Sequence, residues 1–238
     1  QAMPATFAAR GIAMLKWVAM APVPPNSTSA GINSQILVND CRSGVPLAIL
    51  DGDEITLIRT AALSAAAASR LAPRAPTTIA FVGCGMQART HLDAFLDLFP
   101  GLNTVLALSR SRSSAESFAH FAEEKGLATE VLDDPDELLS RCDIVISMVP
   151  GAPGLQPFLD ARKLKPKAFA CAVDIGRSWI PEGLTAFDVL ATDSLAQSHA
   201  PYDVNSNPVT TASFGYDLVG LAAGRHPTAP EKRSLFCF

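Results

Sequence analysis

Thr77-Thr78-Ile79-Ala80-Phe81-Val82-Gly83-Cys84-Gly85-Met86-Gln87-Ala88 decides the fold. A short apolar strand runs into a G-x-G-x-x-A turn and then into a helical stretch, the phosphate-binding fingerprint of a dinucleotide fold. Gly83 permits the tight turn off the strand. Gly85 has no Cβ, so the backbone can approach a pyrophosphate. Ala88 lets the helix pack close to the strand. Met86, Gln87 and Ala88 lead from the turn into a helix read over 87–98, whose free N–H groups would face the phosphates.

The end of the next strand selects the nucleotide. Thr104–Leu108 reads as that strand, and Ser109-Arg110-Ser111-Arg112-Ser113 follows it. An NAD site normally places a carboxylate near this point for the ribose 2′-hydroxyl. Here guanidinium forks and hydroxyls stand instead, and both suit a 2′-phosphate. Ser109, Arg110 and Ser111 are therefore candidate ligands of NADP(H), with NAD(H) the weaker alternative. A solvated basic loop is the plain structural reading of the same residues.

Composition narrows the class. The chain has 238 residues, 48% of them hydrophobic, which suits a packed globular protein rather than a disordered one. A net charge of −4 with no basic run argues against a nucleic-acid surface. No apolar run approaches the length of a membrane span; the alanine-rich stretch after Thr60 is short and carries Arg70. The five cysteines are dispersed without a C-x-x-C pair, and the four histidines show no metal-ligand spacing, so no metal is expected. Dispersed thiols suit a reducing, cytoplasmic setting. The chain does not begin with Met, so residue 1 is read as an internal start, with a preceding segment missing.

Along the chain, residues 12–20 read as a strand interrupted by Lys16, and Pro22–Gly31 as a Pro/Ser-rich loop. Gln35–Asn39 and Pro46–Asp51 read as strands joined by a hairpin-type connection at Asp40–Gly44. Ile55–Arg59 then leads into a helix from Thr60 to Leu71, and Pro73 and Pro76 mark a boundary. From Thr77 onward strands and helices alternate, predicting a parallel sheet covered on both faces. His199–Pro208 reads as a polar loop, followed by a helix near Asp217–Ala223 and a last strand at Leu235–Phe238.

Three stretches together resemble the ornithine cyclodeaminase/mu-crystallin family. They are Ile36–Ala61, with Asn39-Asp40 and a closing Arg59-Thr60-Ala61-Ala62; Gly83-Cys84-Gly85-Met86-Gln87-Ala88-Arg89; and Asp193-Ser194-Leu195-Ala196-Gln197 with Ala223-Gly224-Arg225. The resemblance implies a Rossmann-type dinucleotide-binding domain plus a smaller α+β domain that holds substrate and makes a homodimer. It implies an enzyme acting on small amino or imino acids with a nicotinamide cofactor. On this reading residues 1–72 form the incomplete substrate and dimerisation domain. Residues 73–198 bind the dinucleotide, and residues 199–238 return toward the first domain. Reduction of a small imino acid, of ketimine or pyrroline-carboxylate type, is the expected reaction. Ornithine cyclisation with bound NAD and a non-catalytic nucleotide-binding protein are the rivals.

Candidate site residues follow. Lys16 in its apolar strand is either a snorkelling lysine or a contact to substrate carboxylate and proton donor to the imine; the matching family lysine has the latter kind of role. Arg59, read at a helix N-terminus where a cation opposes the macrodipole, should face an anion; the family implies substrate carboxylate or cofactor phosphate. Thr60 is read as the helix N-cap and as part of the cofactor site. Met148 and Val149, after the strand Asp143–Val149, would line the nicotinamide by family analogy, or simply pack in the core. Asp174 follows the strand Phe169–Val173 and is a candidate catalytic acid or a turn cap. In ornithine cyclodeaminases the catalytic aspartate comes three residues after the strand's last valine, which here is Gly176, and the ketimine-reductase branch has serine there. Asp174 is two positions early, which places deamination in doubt because that step needs a base on the substrate amine.

Overall fold

A computed structural model describes residues 1–20, 31–152, 154–198, 212–226 and 228–238. The expected loops at Pro22–Ala30 and His199–Pro208 lie outside the described residues. The chain divides into two compact units, Gln1–Arg59 and Thr60–Phe238.

The first unit is an antiparallel meander of β1 (Ala2–Phe7), β2 (Ile12–Met20), β3 (Ile32–Asp40) and β4 (Pro46–Asp51), in that spatial order. The sequence reading missed β1. Its Pro4 weakens the strand signal, yet a proline is tolerated because β1 is an edge strand. The β3–β4 hairpin is set locally. Asp40 Oδ1 accepts from the backbone N–H groups of Arg42 and Ser43 at 3.0 and 2.7 Å, and Gly44 adopts φ +75°.

Helix α1 (Asp53–Leu71) starts earlier than expected. Ile55 and Ile58 stand at helical spacing, and the Asp51 carboxylate accepts the N–H of Asp53 at 2.9 Å, so Asp-Gly-Asp is the start signal. Thr60 is therefore not an N-cap and Arg59 is not at a helix N-terminus. The macrodipole argument for Arg59 falls with that correction. The boundary between units also falls inside α1 rather than at Pro73–Pro76. The reason is burial: Ala67, Ala68 and Leu71 of its second half sit in the core of the larger unit.

The larger unit holds β5 (Thr78–Val82), α2 (Met86–Leu98), β6 (Thr104–Leu108), α3 (Arg112–Glu123), β7 (Ala128–Val131), α4 (Pro135–Arg141) and β8 (Ile144–Ser147). These are followed by β9 (Phe169–Ala172), β10 (Val189–Thr192), α5 (Leu195–Ser198), β11 (Tyr216–Asp217), α6 (Leu218–Ala222) and β12 (Ser234–Cys237). The parallel sheet runs β11-β10-β12-β9-β8-β5-β6-β7. Strand alternation feeds two cores. Ile79 and Phe81 face Leu71, Leu92, Phe95 and Phe118 of α1, α2 and α3. Ala80 and Val82 face Leu138, Leu139, Leu159 and Trp179 on the other side. This is the Rossmann-type α/β fold. Phe81 and Phe118 meet edge to face at 4.8 Å, and burying each such ring is worth roughly 1.5–3 kcal/mol.

Residues 199–238 were expected to return toward the first unit. Their last strand, β12, instead inserts in the large sheet between β9 and β10. Its run Ser234-Leu235-Phe236-Cys237 is wholly buried and serves both cores, which explains the preference.

Candidate functional site

Registered pairs Leu108–Val82, Val82–Ser147 and Ser147–Ala172 line up the C-terminal strand ends of β6, β5, β8 and β9. The chain first runs outward from β5 through β6 to β7, then crosses to β8 on the other side. The β5/β8 junction is thus the topological switch point, where open α/β sheets bind ligands.

The glycine turn stands there. Gly83 takes φ +96°, and a Cβ on it would come within 2.9 Å of the Met148 carbonyl oxygen. Its N–H donates to Leu108 O at 2.8 Å, fixing the turn to the end of β6. Gly85 caps α2 with ordinary φ −86°, and nothing lies within 4 Å of where its Cβ would point. Space is thus kept open over Gly85, as close approach of a phosphate requires. Met86 is 64% exposed beside it, Gln87 is half-buried, and Ala88 is buried against the core.

At the end of β6, Ser109 is half-buried, while Arg110 and Ser111 are exposed. Ser111 caps α3, and its hydroxyl bonds to that of Ser113 at 2.8 Å. Arg112 is engaged elsewhere, paired with Glu116 at 3.0 Å and Asp133 at 3.1 Å. None of the ion pairs among the described residues involves Arg110.

Asp174 lies beyond β9 in a tight turn. It is only 5% exposed. Its Oδ1 accepts from Ser147 Oγ at 3.2 Å and Gly176 N at 3.1 Å. Its Oδ2 accepts from Ser178 Oγ at 2.6 Å and Val149 N at 3.4 Å. The turn needs such an anchor. Ile175 and Gly176 have φ +60° and +76°, and a β-branched residue there stores on the order of 1–3 kcal/mol of strain. Arg177 closes it, donating from Nε to Asp174 O at 2.8 Å. Ser147 also accepts the indole N–H of Trp179 at 2.9 Å. Burial raises the Asp174 carboxyl above its ordinary value, opposed by the donors from Ser178, Val149 and Ser147 and by the Arg177 charge. The network thus ties the Met148–Val149 loop to the turn after β9. Sequence reading found Asp174 but not Ser178 or Trp179, whose meaning depends on the turn bringing them back.

In the first unit Lys16 is half-buried on β2, and its Nζ donates to Thr56 Oγ1 at 2.6 Å. The Thr56 hydroxyl donates to Gly52 O at 2.6 Å and lies 3.0 Å from Ser34 Oγ. Ser34 Oγ in turn donates to Asp53 Oδ1 at 3.0 Å. A Cβ at Gly52 would meet Ser34 Oγ at 2.7 Å, so glycine is what admits this packing. Partial burial lowers the Lys16 pKa, the nearby Arg59 charge lowers it further, and Asp53 opposes. Arg59 is exposed; Thr60 is buried, its carbonyl oxygen 3.2 Å from Ser64 Oγ. Thr56, Ser34 and Asp53 carried no sequence signal, because the helix was expected to begin only at Thr60.

Known proteins resemble this chain in sequence and in fold. An archaeal alanine dehydrogenase from Archaeoglobus fulgidus is 33% identical over 150 residues, covering 63% of this chain and 45% of that protein. The ketimine reductase mu-crystallin of Mus musculus is 28% identical over 237 residues, 98% of this chain and 73% of that protein. A solved archaeal alanine dehydrogenase, a dimer with bound NAD, superposes with a TM-score of 0.84 at 26% identity, covering 99% of this chain and 74% of that one. The chain thus spans less than half of the first relative's length. The profile of the ornithine cyclodeaminase/mu-crystallin family matches residues 1–180, and with the glycine turn at the switch point it shows that this chain belongs to that family.

Proposed function

We propose that this chain is an NADP(H)-dependent reductase of a small cyclic or linear imino acid. One observation carries reduction over ornithine deamination. Asp174 is the candidate base, yet both its oxygens are taken up by four donors inside a buried turn. A base for a substrate amine must reach that amine. Asp174 therefore organises the turn, and an imine substrate needs no such base. The family relationship to a ketimine reductase supports the same direction.

The residues fit a dinucleotide. Gly83 and Gly85 shape the pyrophosphate turn, and the first turn of α2, Met86, Gln87 and Ala88, faces it. Ser109, Arg110 and Ser111 would hold the 2′-phosphate, which favours NADP(H). Arg112, already paired with two carboxylates, contributes little. Met148 and Val149 would flank the nicotinamide, and Arg59 and Thr60 would complete the cofactor site. When bound, the cofactor supplies the reducing equivalent. Lys16, oriented by Thr56, would bind the substrate carboxylate with Arg59 and give a proton to the imine nitrogen; a lowered lysine pKa suits that transfer.

The first unit supports a homodimer. Trp17, Leu47 and Ile49 share one face of its sheet, opposite to Lys16, and are 56%, 58% and 72% exposed. Exposed apolar faces of this kind mark association sites. The partner proposed is a second copy. No helix among the described residues is long and apolar enough to cross a membrane. Four buried thiols support a cytoplasmic setting.

The test is turnover. Purified protein should consume NADPH with a cyclic imino carboxylate. Ammonia release from ornithine without net cofactor change would establish the cyclodeaminase instead. Tight NADP(H) binding with neither activity would establish a nucleotide-holding protein.

A further inference from the structure

His91 is wholly buried on α2, the helix that follows the glycine turn. Its Nδ1 lies 2.7 Å from the carbonyl oxygen of Gln87, and its Nε2 lies 2.9 Å from Ser64 Oγ on α1. A carbonyl can only accept, so Nδ1 must carry the hydrogen. A neutral ring then leaves Nε2 as an acceptor, and the one proton of the Ser64 hydroxyl goes to Nε2 at 2.9 Å rather than to Thr60 O at 3.2 Å. Cys171 on β9 completes the chain, its Sγ donating to Ser64 Oγ at 3.2 Å. Burial keeps the Cys171 thiol protonated, up to about 12, so it remains a donor. Three elements of the larger unit are thus joined through one imidazole to a backbone carbonyl in the first turn of α2. The Nδ1–H form is the less common tautomer of a free imidazole, so the surroundings impose it.

We propose that His91 is a positioning residue for the dinucleotide: held as its Nδ1–H tautomer by the Gln87 carbonyl and met at Nε2 by Ser64, it ties that carbonyl, and with it the helix turn that meets the phosphates, to α1. This rests on the dinucleotide reading given above. Apolar packing alone would hold the helix against the sheet. The ladder of α2 points the Gln87 carbonyl along the helix axis, but neither ties that carbonyl to α1 and β9. A directional bond does, and misplacing a binding turn by a fraction of an ångström is costly.

The test uses the full chain. Imidazole ¹⁵N spectra, with the His91 signal assigned by its loss in His91→Leu, should show a protonated Nδ1 and a bare Nε2 at pH 7. An Nε2–H tautomer would overturn the proposal. NADPH and NADH titrations should show His91→Leu and His91→Gln weakening both cofactors by about tenfold. His91→Asn, which places an amide N–H near the Nδ1 position, should recover part of that loss. A His91→Leu protein with lowered melting temperature but the parent's affinity would assign the residue to stability alone and overturn the positioning role. Should that variant not fold, Ser64→Ala serves. It should bind NADPH more weakly while the Gln87 carbonyl keeps the ring in its Nδ1–H form, and the parent's affinity would overturn the relay. A parent protein that binds neither cofactor would overturn the dinucleotide reading itself.

Discussion

Lys16 and Thr56 face each other across the first unit, ammonium to hydroxyl at 2.6 Å, and Thr56 stands in turn beside Ser34. The lysine head is thus aimed by a neighbour that α1 supplies, not left to sample solvent. We expect Lys16→Met to raise KM for the imino acid and to lower kcat as well, because it removes both an anion contact and a proton donor. Thr56→Ala should act in the same direction more weakly, by about three- to tenfold, and Thr56→Ser should restore the parent. Steady-state kinetics at saturating NADPH provide the measurement. Unchanged kinetics in Lys16→Met would return Lys16 to a structural part.

The two glycines of the turn should fail differently. Gly83→Ala combines a left-handed φ with a Cβ overlapping the Met148 carbonyl, and should cost about 2 kcal/mol or more of stability. Gly85→Val has open space and a permitted φ, so the protein should fold normally while losing both cofactors. Thermal melts alongside NADPH titration separate the cases. A stable Gly85→Val variant that still binds NADPH would exclude the turn as the phosphate site.

Cofactor choice should depend on Arg110. A charge-assisted contact is worth roughly 1.5–3 kcal/mol, so Arg110→Ala should weaken NADPH by about tenfold or more and leave NADH nearly untouched. Arg112→Ala should do much less, since Arg112 already pairs with Glu116 and Asp133. Equal affinity of the parent for NADPH and NADH would defeat the assignment.

Asp174→Asn should reveal an anchor rather than a base. An amide N–H opposite the Val149 N–H or the Gly176 N–H leaves a buried donor unmatched, at a cost of roughly 1–3 kcal/mol. Imine reduction by the folded variant should fall by less than about tenfold, whereas loss of an acid–base group costs about 10²-fold or more. Ornithine-dependent ammonia release by the parent, abolished in Asp174→Asn, would reverse the ranking of reactions.

His91 should leave a mark on acid stability. Burial holds its ring at about 4, below the ordinary 6.5, so between these values the unfolded chain binds more protons than the folded one. Its contribution is full above about pH 6.5 and is lost as pH falls toward 4, amounting to roughly 3 kcal/mol. Asp174, raised above its ordinary value, acts oppositely but equally in parent and variant. Urea denaturation of parent and His91→Asn at pH 7.5, 5.5 and 4.5 should therefore show the variant losing less on acidification. Parallel pH profiles would contradict this.

Much of the larger unit was legible in its sequence because β5, β6, β8 and β9 are short apolar runs bounded by turn residues, and Gly83 and Gly85 mark the turn directly. The start of α1 was not. Ile55–Arg59 read only as a lead into a helix from Thr60, and the Asp51 carboxylate on the Asp53 N–H sets the earlier start. The error carried forward to Arg59 and Thr60, whose meaning depended on the helix beginning there. His91 was passed over because a lone histidine among Ala88, Leu92 and Phe95 looks like filler. Only the fold brings Ser64 and Cys171 to it. The Asp174 register could be counted in sequence, but its saturation by four donors required the turn at Ile175–Gly176.

The place of β12 sets the order in which the large sheet can be completed. Strands β9 and β10 precede β12 in the chain and do not bond to each other; β12 lies between them and pairs with both. The sheet grows from β5 outward as far as β9 and then must stop. Strands β10 and β11 wait as a separate ribbon, and Ser234–Cys237 is the keystone that makes one sheet of two. The residues that line the glycine turn stand on strands β5, β6 and β8, which pair without β12, while the far end of the sheet depends on it.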